Sequence, residues 1–340
     1  MTARPPRTAR ASRTPGGART VRAIRRTCAI PAARRRARGR TLAGALAVAV
    51  AAPLLLAGCG DQRDFKNGGG FGGSKAPLFK MLPKKIRERG YVKVGSDAAY
   101  KPVEYKFGAQ IVGLDPDIAR AMSQKLGVSF QFTNGTFDGL ITSMQTGRFD
   151  MIMSAMTDTP EREHGLDDNG KKVGKGVDFV DYLTAGSSIL VKKGNPKKVG
   201  SVRHMCGKKV ATQRGTTSHE ILKKQTKECV KSGRKGIHVE AYDTDDEARV
   251  RLKTGGVIAD VSDYPVAANA AQTGSDFQVI GKQMESAPYG IAVPKDDKQL
   301  RDALKAALAA VIKDGSYKKA LLKWGIQQGG VRKPEINGGA

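Results

Sequence analysis

Asp115-Pro116-Asp117-Ile118-Ala119-Arg120-Ala121-Met122-Ser123-Gln124-Lys125-Leu126-Gly127-Val128-Ser129-Phe130-Gln131-Phe132 changes its hydrophobic period part-way. Over 115–126, Ile118, Ala119, Met122 and Leu126 recur at three- and four-residue steps, so they share one face of a helix that Gly127 stops. Beyond the glycine, Val128 to Phe132 reads as a strand. A helix joined to a strand by a single glycine is the unit of an α/β fold.

The same alternation extends in both directions. Tyr91-Val92-Lys93-Val94-Gly95 predicts a strand before the helix. Phe137 to Thr146 predicts a second helix with Leu140, Ile141 and Met144 inward, and Phe149 to Ser154 a buried strand after it. Further on, Val210 to Thr212, Val239 to Tyr242 and Val257 to Val261 read as strands. Ser218 to Cys229 and Asp245 to Thr254 read as the helices between them. The two halves echo each other: Gln145-Thr146-Gly147-Arg148 before Met151-Ile152-Met153-Ser154 is matched by Lys253-Thr254-Gly255-Gly256 before Val257 to Ser262. This predicts an α/β protein with mainly parallel strands and two sheets, one per half, facing each other across a cleft at their strand ends.

The N-terminal region has a different character. The forty residues before Thr41 contain thirteen arginines and no acid, and Thr41 to Gly58 is uncharged, ending in Leu56-Ala57-Gly58-Cys59. A basic region, a short apolar core and small residues ahead of a cysteine resemble a lipoprotein signal peptide over 1–58, which implies lipidation of Cys59. The run is barely long enough to span a bilayer, which needs about 20 apolar residues, and a retained anchor is the competing reading. Residues 59–76, with Gly68-Gly69-Gly70 and Gly72-Gly73-Ser74, read as a flexible tether.

Removal of the leader changes the charge. Of 59 basic residues 13 precede Cys59, whereas all 32 acids follow it, so the net charge of +27 falls to +14. The remaining lysines are scattered, and an exported chain does not meet nucleic acid, so the positive balance reads as a solvated surface beside an anionic membrane. Export also places Cys206 and Cys229 in an oxidising compartment, where a disulfide is expected; two buried thiols are the alternative. His164, His204, His219 and His238 stand in no metal-ligand spacing, so no metal or other cofactor is expected.

From about Leu78 to Gly325 the chain resembles the extracellular solute-binding proteins of family 3, the binding components of amino-acid ABC transporters. The resemblance rests on Val94-Gly95-Ser96-Asp97-Ala98-Ala99-Tyr100, Gly113-Leu114-Asp115-Pro116-Asp117, Phe137-Asp138-Gly139-Leu140-Ile141, Gly147-Arg148-Phe149-Asp150 and Met156-Thr157-Asp158-Thr159-Pro160-Glu161-Arg162. Later come Gln213-Arg214-Gly215-Thr216-Thr217, Tyr289-Gly290-Ile291-Ala292-Val293, and Asp314-Gly315-Ser316-Tyr317 ahead of Lys323-Trp324-Gly325. It implies a type II periplasmic-binding-protein fold with two Rossmann-like lobes joined by a two-crossing hinge. Lobe 1 would be 77–186 plus 290–326, lobe 2 187–289, and 327–340 a tail without periodicity. Hinges are expected near Ala185 to Ser188 and Pro288 to Ile291.

The resemblance also implies the site. Arg162 matches the arginine that binds a ligand carboxylate, Ser154, Ala155 and Thr157 the loop lending backbone groups and a hydroxyl, and Thr216 and Thr217 a donor turn. Asp263 matches the acid for the ammonium, Tyr100 and Phe137 the aromatic walls, and Asp97 and Gln213 contacts to the distal side chain. An amino-acid zwitterion needs such partners, because a desolvated unpaired ion costs several kcal/mol. Each residue has a plainer reading: Arg162 as a surface partner of Glu161 or Glu163, Asp263 as a helix cap, the aromatics as core.

A neutral Gln213 beside Asp97 leaves glutamine, arginine, lysine, ornithine and histidine as ligands. Implied partners are the permease subunits with their ATPase, reached from the outer face of the membrane through the lipid on Cys59. A monomer without nucleic acid or catalytic residues is expected. Two departures stand out: Gly255-Gly256-Val257-Ile258-Ala259 lacks the family's usual aspartate, with Asp260 two places later, and Gly165 to Gly176 reads as an exposed insertion. The competing function is a cyclohexadienyl dehydratase, with Glu104 or Glu240 as general acid, and another is ligand sensing.

Overall fold

A computed structural model describes residues 71–167 and 169–339. The leader, Cys59 and the tether up to residue 70 lie outside the described residues. Among the described residues no helix is long and apolar enough to cross a membrane.

The quoted stretch folds as its period predicts. Helix α2 (Leu114–Leu126) follows α1 (Lys84–Arg89), β1 (Tyr91–Ser96) and a small sheet of β2 (Ala99–Tyr100), β3 (Glu104–Phe107) and β4 (Gln110–Val112). Ile118, Ala119, Met122 and Leu126 are all buried, and Gly127 closes α2 in a left-handed conformation before β5 (Ser129–Asn134). β5 pairs in parallel with β1, and β1 with β6 (Met151–Ile152). Apolar groups cover both faces. Val92, Val94 and Met151 pack with α2, while Leu140, Met144, Phe149 and Ile152 form a core on the other side. Burial on both faces explains why Met151-Ile152-Met153 reads as a continuous apolar run, whereas β5 at the sheet edge alternates, with Phe130 buried and Gln131 exposed.

The helix predicted over 137–146 is a single 3₁₀ turn at Phe137–Gly139 followed by α3 (Leu140–Gln145). α4 (Pro160–His164) is a short helix capped by Thr159, whose hydroxyl accepts from the backbone N–H of Arg162.

Two strands were not foreseen. β7 (Val177–Lys192) and β11 (Phe277–Pro294) have 16 and 18 residues and run antiparallel through both halves. They hydrogen-bond the halves into one eight-stranded sheet of order β5-β1-β6-β11-β7-β10-β8-β9, so the expectation of two separate sheets is corrected. The second half contributes β8 (Lys209–Gln213), α5 (Thr217–Lys231), β9 (His238–Tyr242), α6 (Asp245–Lys253), β10 (Ala259–Asp263) and α7 (Tyr264–Thr273). β8 lies parallel to both β9 and β10. Its own cores form around Leu222, Val210 and Val261 on one face and Leu190, Ala248 and Leu252 on the other. Cys206 and Cys229 are disulfide-bonded with Cα atoms 5.7 Å apart, and Cys229 is buried in the first of these cores.

Between the halves the β7–β11 ladder loses its regular register. Shifts fall at Ile280/Met284 and Met284/Ala287, next to Ser187 and Ala185, and at Tyr289/Gly290, opposite Leu183 and Asp181; Gly281 and Glu285 have positive φ. The irregularity in β11 therefore begins at about 281, upstream of the expected 288–291. An irregular crossing spares few ladder bonds to break when the strands bend.

After β11 the chain returns to the first half, where α8 (Lys298–Lys313) and α9 (Ser316–Trp324) pack on α2. The tail, expected to lack periodicity, is docked: Leu183 bridges Gly330 and Val180 bridges Ile336, so it lies beside β7 through two isolated bridges. Asn337 accepts from the Phe179 N–H at 2.8 Å, and Gly338 and Gly339 donate their N–H groups to Asp181 and Asp158, each at 3.0 Å. A Cβ at position 339 would lie 2.3 Å from the Asp158 carbonyl oxygen, so only glycine fits this contact. The last residues of the expected tether are docked too, since Gly73–Lys75 form a turn and Leu78 donates to the Lys125 carbonyl at the end of α2.

Candidate functional site

Nine residues named from the sequence, Tyr100, Phe137, Ala155, Thr157, Arg162, Gln213, Thr216, Thr217 and Asp263, line one cavity of about 10 Å³ between the halves. They come from segments up to 163 residues apart, brought together by the strand ends. The cavity is smaller than the roughly 300–1,000 Å³ of small-molecule pockets. Contacts across it explain why. Gln213 donates its amide to Asp97 Oδ2 at 2.6 Å, Asp263 donates its N–H to the Tyr100 hydroxyl at 3.1 Å, and Arg162 Nη2 donates to the Gly215 carbonyl at 2.9 Å.

Arg162 makes no ion pair with Glu161 or Glu163. Its Nη1 donates to the Thr157 carbonyl at 2.7 Å, and the guanidinium lies 5.4 Å above the Phe137 ring. Both protein acceptors are neutral carbonyls, so its charge is answered by no carboxylate in direct contact. Burial lowers its pKa, and the more distant Asp263 opposes that shift. Gly215 takes the left-handed conformation that turns its carbonyl toward Arg162. The N-terminal turn of the fifteen-residue α5 faces the same space, an arrangement that favours an anion.

Asp263 is buried and sits at the N-cap of α7, but its side chain makes no capping bond. Instead Oδ2 accepts from the Tyr289 hydroxyl at 2.6 Å, and Oδ1 faces the Ser187 hydroxyl at 3.5 Å. Burial raises its pKa, and the Tyr289 and Tyr100 bonds hold it down. Tyr289 and Ser187 were missed as site residues. The Tyr289-Gly290-Ile291 motif was the available signal for the first, and only the register of β7 reveals the second.

Several expected roles are already occupied. Ser154 does not line the cavity: its hydroxyl accepts from the Asp97 N–H at 2.8 Å and donates to Glu104 at 3.0 Å. Ala155, at φ 44°, is held in a conformation unusual for a non-glycine residue, and its N–H goes to Asp115 at 3.3 Å. Thr216 caps α5, with its hydroxyl donating to the Gln213 carbonyl and accepting from His219 N–H. Hydroxyls at 157 and 217, 3.5 Å apart, are the ones that face the cavity and each other across the halves. Asp97 lies just behind the cavity wall, where burial pushes its carboxyl up to about 6 against the Gln213 bond.

Beneath the loop, Glu104 and Asp115 are fully buried, and Tyr182 donates to Asp115 at 2.8 Å. Burial raises both, Asp115 to about 7. Glu104 thus braces Ser154 from below and reaches no cavity. Glu240 is bonded to Arg251 and Lys209 at the edge of the second half, and the Arg251 bond brings its pKa down to about 2. A general acid needs a raised pKa in the cleft, and neither glutamate meets both conditions. Asp260 is fully buried with both carboxylate oxygens unpartnered, and burial holds it well above the ordinary range. Among the described residues no group of acids, histidines and cysteines could hold a metal ion.

The sequence model of the bacterial extracellular solute-binding proteins, family 3, matches residues 92–327. The chain belongs to this family. The family-3 protein is 29% identical over 260 residues to the arginine-binding protein ArgT of Corynebacterium glutamicum, across 76% of the chain and 81% of that relative. It is also 29% identical to the glutamine-binding protein GlnH of the Bacillus subtilis ABC transporter, over 82% and 94% of the two chains. An ancestral arginine-binding protein bound to arginine superposes with a TM-score of 0.61 at 36% identity, covering 69% of this chain and 98% of that one. The fold is therefore that of the type II periplasmic binding proteins, as the motifs implied. A family-3 protein is an exported solute-binding protein and not an enzyme.

Proposed function

We propose that the protein captures a polar or cationic amino acid in the cleft between its lobes and delivers it to the permease of an ABC importer. The observation that carries this reading is the convergence of Arg162, the N-terminal turn of α5 and Asp263 on one cavity walled by Tyr100 and Phe137. Arg162 with the α5 turn suits a carboxylate, and Asp263 suits an ammonium, the two ends that every free amino acid presents. The arginine and glutamine relatives support the class, and glutamine, arginine, lysine, ornithine and histidine all fit a cleft carrying Asp97 and Gln213.

Capture requires the lobes, 77–186 with 290–326 and 187–289, to part and close about the irregular stretch of β7 and β11. A ligand would replace the direct bonds from Gln213 to Asp97 and from Arg162 to Gly215. A handful of charge-assisted bonds at roughly 1.5–3 kcal/mol each is sufficient for micromolar binding after ordering costs. The closed monomer then presents both lobes to the permease and its ATPase. No nucleic acid takes part.

Thermal-shift measurements with the twenty amino acids, ornithine and citrulline test this reading. A cleft ligand at 100 times its Kd stabilises by about 2.7 kcal/mol, and the melting temperature rises. If none of these compounds moves it, the proposal fails. For the lipid anchor on Cys59, Cys59→Ala is expected to shift the protein from the membrane to the soluble fraction. Retention in the membrane would show that the apolar run 41–58 is the anchor.

A further inference from the structure

Asp245, the first residue of α6, is fully buried, yet one of its carboxylate oxygens, Oδ1, has no hydrogen-bond partner. Nothing in the repeat pattern or the motifs singled it out. Helix α6 packs against β2, the strand that carries the cavity residue Tyr100, so the N-terminus of a lobe 2 helix abuts lobe 1 beside the cleft. Gln213 ties the same corner together, since its amide donates both to Asp97 Oδ2 at 2.6 Å and to the Asp243 carbonyl at 3.0 Å. Asp245 follows two residues later. It therefore stands behind the wall of the cleft that carries Gln213, and its charge is felt at Asp97, Tyr100 and Asp263.

The charges at this wall do not cancel. Arg249 donates to Asp245 Oδ2 at 2.7 Å but also bonds Asp246, so one cation is shared by two acids. Arg214 is exposed and lies with Asp138 and Asp243 on the surface. The donors to Asp97 are all neutral, the Gln213 amide and the backbone N–H groups of Phe137 and Ala99. Asp260, fully buried with both carboxylate oxygens unpartnered, lies within electrostatic reach of Asp245, and burial raises the pKa of both. With Arg162 and Asp263 reserved for the two ends of a zwitterion, this part of the cleft wall holds more acids than cations, an excess of negative charge that burial opposes. A neutral ligand side chain leaves that excess in place, whereas a cationic one relieves it. Asp97 registers the excess: burial and, further down, the charge of Asp245 push its carboxyl up to about 6.

We infer that Asp245 is a specificity-determining residue, whose buried carboxylate behind the cleft wall that carries Gln213 selects a ligand side chain carrying a positive charge over a neutral one of the same shape. It acts through space on the occupant of the Gln213–Asp97 position and is a positioning charge, not a direct ligand. The inference rests on the amino-acid reading above and deepens it.

Two isosteric pairs measure the effect by calorimetry: arginine with citrulline, and ornithine with norleucine. In the unaltered protein the cationic member of the better-binding pair is expected to win by at least about tenfold, the scale of two charges under 10 Å apart at an effective dielectric near 20. Asp245→Asn should remove most of that preference while neutral-ligand affinity stays within about threefold, and Asp245→Glu should restore it. Arg249→Met, which leaves Asp245 unshared, should move the ratio the opposite way and serves if Asp245→Asn does not fold. A ratio that is the same in every folded variant overturns the inference, because a purely structural role would weaken both members equally. Equal affinity for the two members in the unaltered protein overturns it while leaving the amino-acid reading intact. Failure of all four compounds to bind also overturns it, and the thermal-shift panel then shows whether the broader reading falls too.

Discussion

Arg162→Ala is expected to lower amino-acid affinity by about 10²- to 10³-fold or more in calorimetry while the protein still folds. Arg162 sits on the short α4 with two donors already aimed along the cavity edge, at the Thr157 and Gly215 carbonyls. Removing one partner of a buried ion pair costs roughly 3–5 kcal/mol, because the carboxylate is left desolvated and unpaired. The fold loses little, since those two carbonyls remain open to other donors and the guanidinium touches the core only at the Phe137 ring. The melting temperature without ligand should change by only a few degrees. Arg162→Lys should fall between, keeping the charge but losing the planar fork that reaches two acceptors. Unchanged affinity in Arg162→Ala would falsify the placement of the carboxylate.

Loss of the Cys206–Cys229 bond should have the largest effect on stability. The bridge spans 23 residues and fastens the segment before β8 to the last turn of α5, with Cys229 packed among Met205, Leu222 and Ile237. Closing a loop of that length removes about 3 kcal/mol of unfolded-state entropy. For a protein of this size the melting temperature should then fall by roughly 6–12 °C in Cys206→Ser/Cys229→Ser or under reductant. The cysteines do not line the cavity, so ligand affinity near room temperature should be nearly unchanged. Identical melts with and without reductant would show that the bridge contributes nothing, and a large loss of affinity would show that lobe 2 is distorted without it.

Local period was enough to read α2, because a helix with one buried face and a glycine stop depends on neighbours in sequence. It was not enough for β7. Val177 to Lys192 contains Asp178, Asp181, Ser187 and Ser188, polar residues that are buried here because tail, cleft and helix groups surround them. No alternation survives when both faces are buried for different reasons along the strand. The site shows the same division. Residue types at Arg162, Asp263, Tyr100 and Phe137 could be matched to a family, and they do meet in one cavity. Which polar groups remain available could not be read, because Ser154, Ala155 and Thr216 are committed to Glu104, Asp115 and the α5 cap by contacts across 50, 40 and 3 residues. Asp245 escaped for a related reason: its place at the start of α6 says nothing of the strand from the other lobe that lies against that helix.

The docked tail has a practical consequence for anyone handling the protein. Gly339 donates to Asp158, the neighbour of Thr157, and also borders the wider groove of about 1000 Å³ that opens beside Arg162. A purification tag or reporter inserted directly after Gly339 would start at the rim of that groove, not on a remote face. Binding constants measured on such a fusion would include whatever the added chain does at that rim, so a cleavable tag or a label on the exposed Phe107 hairpin is the safer choice.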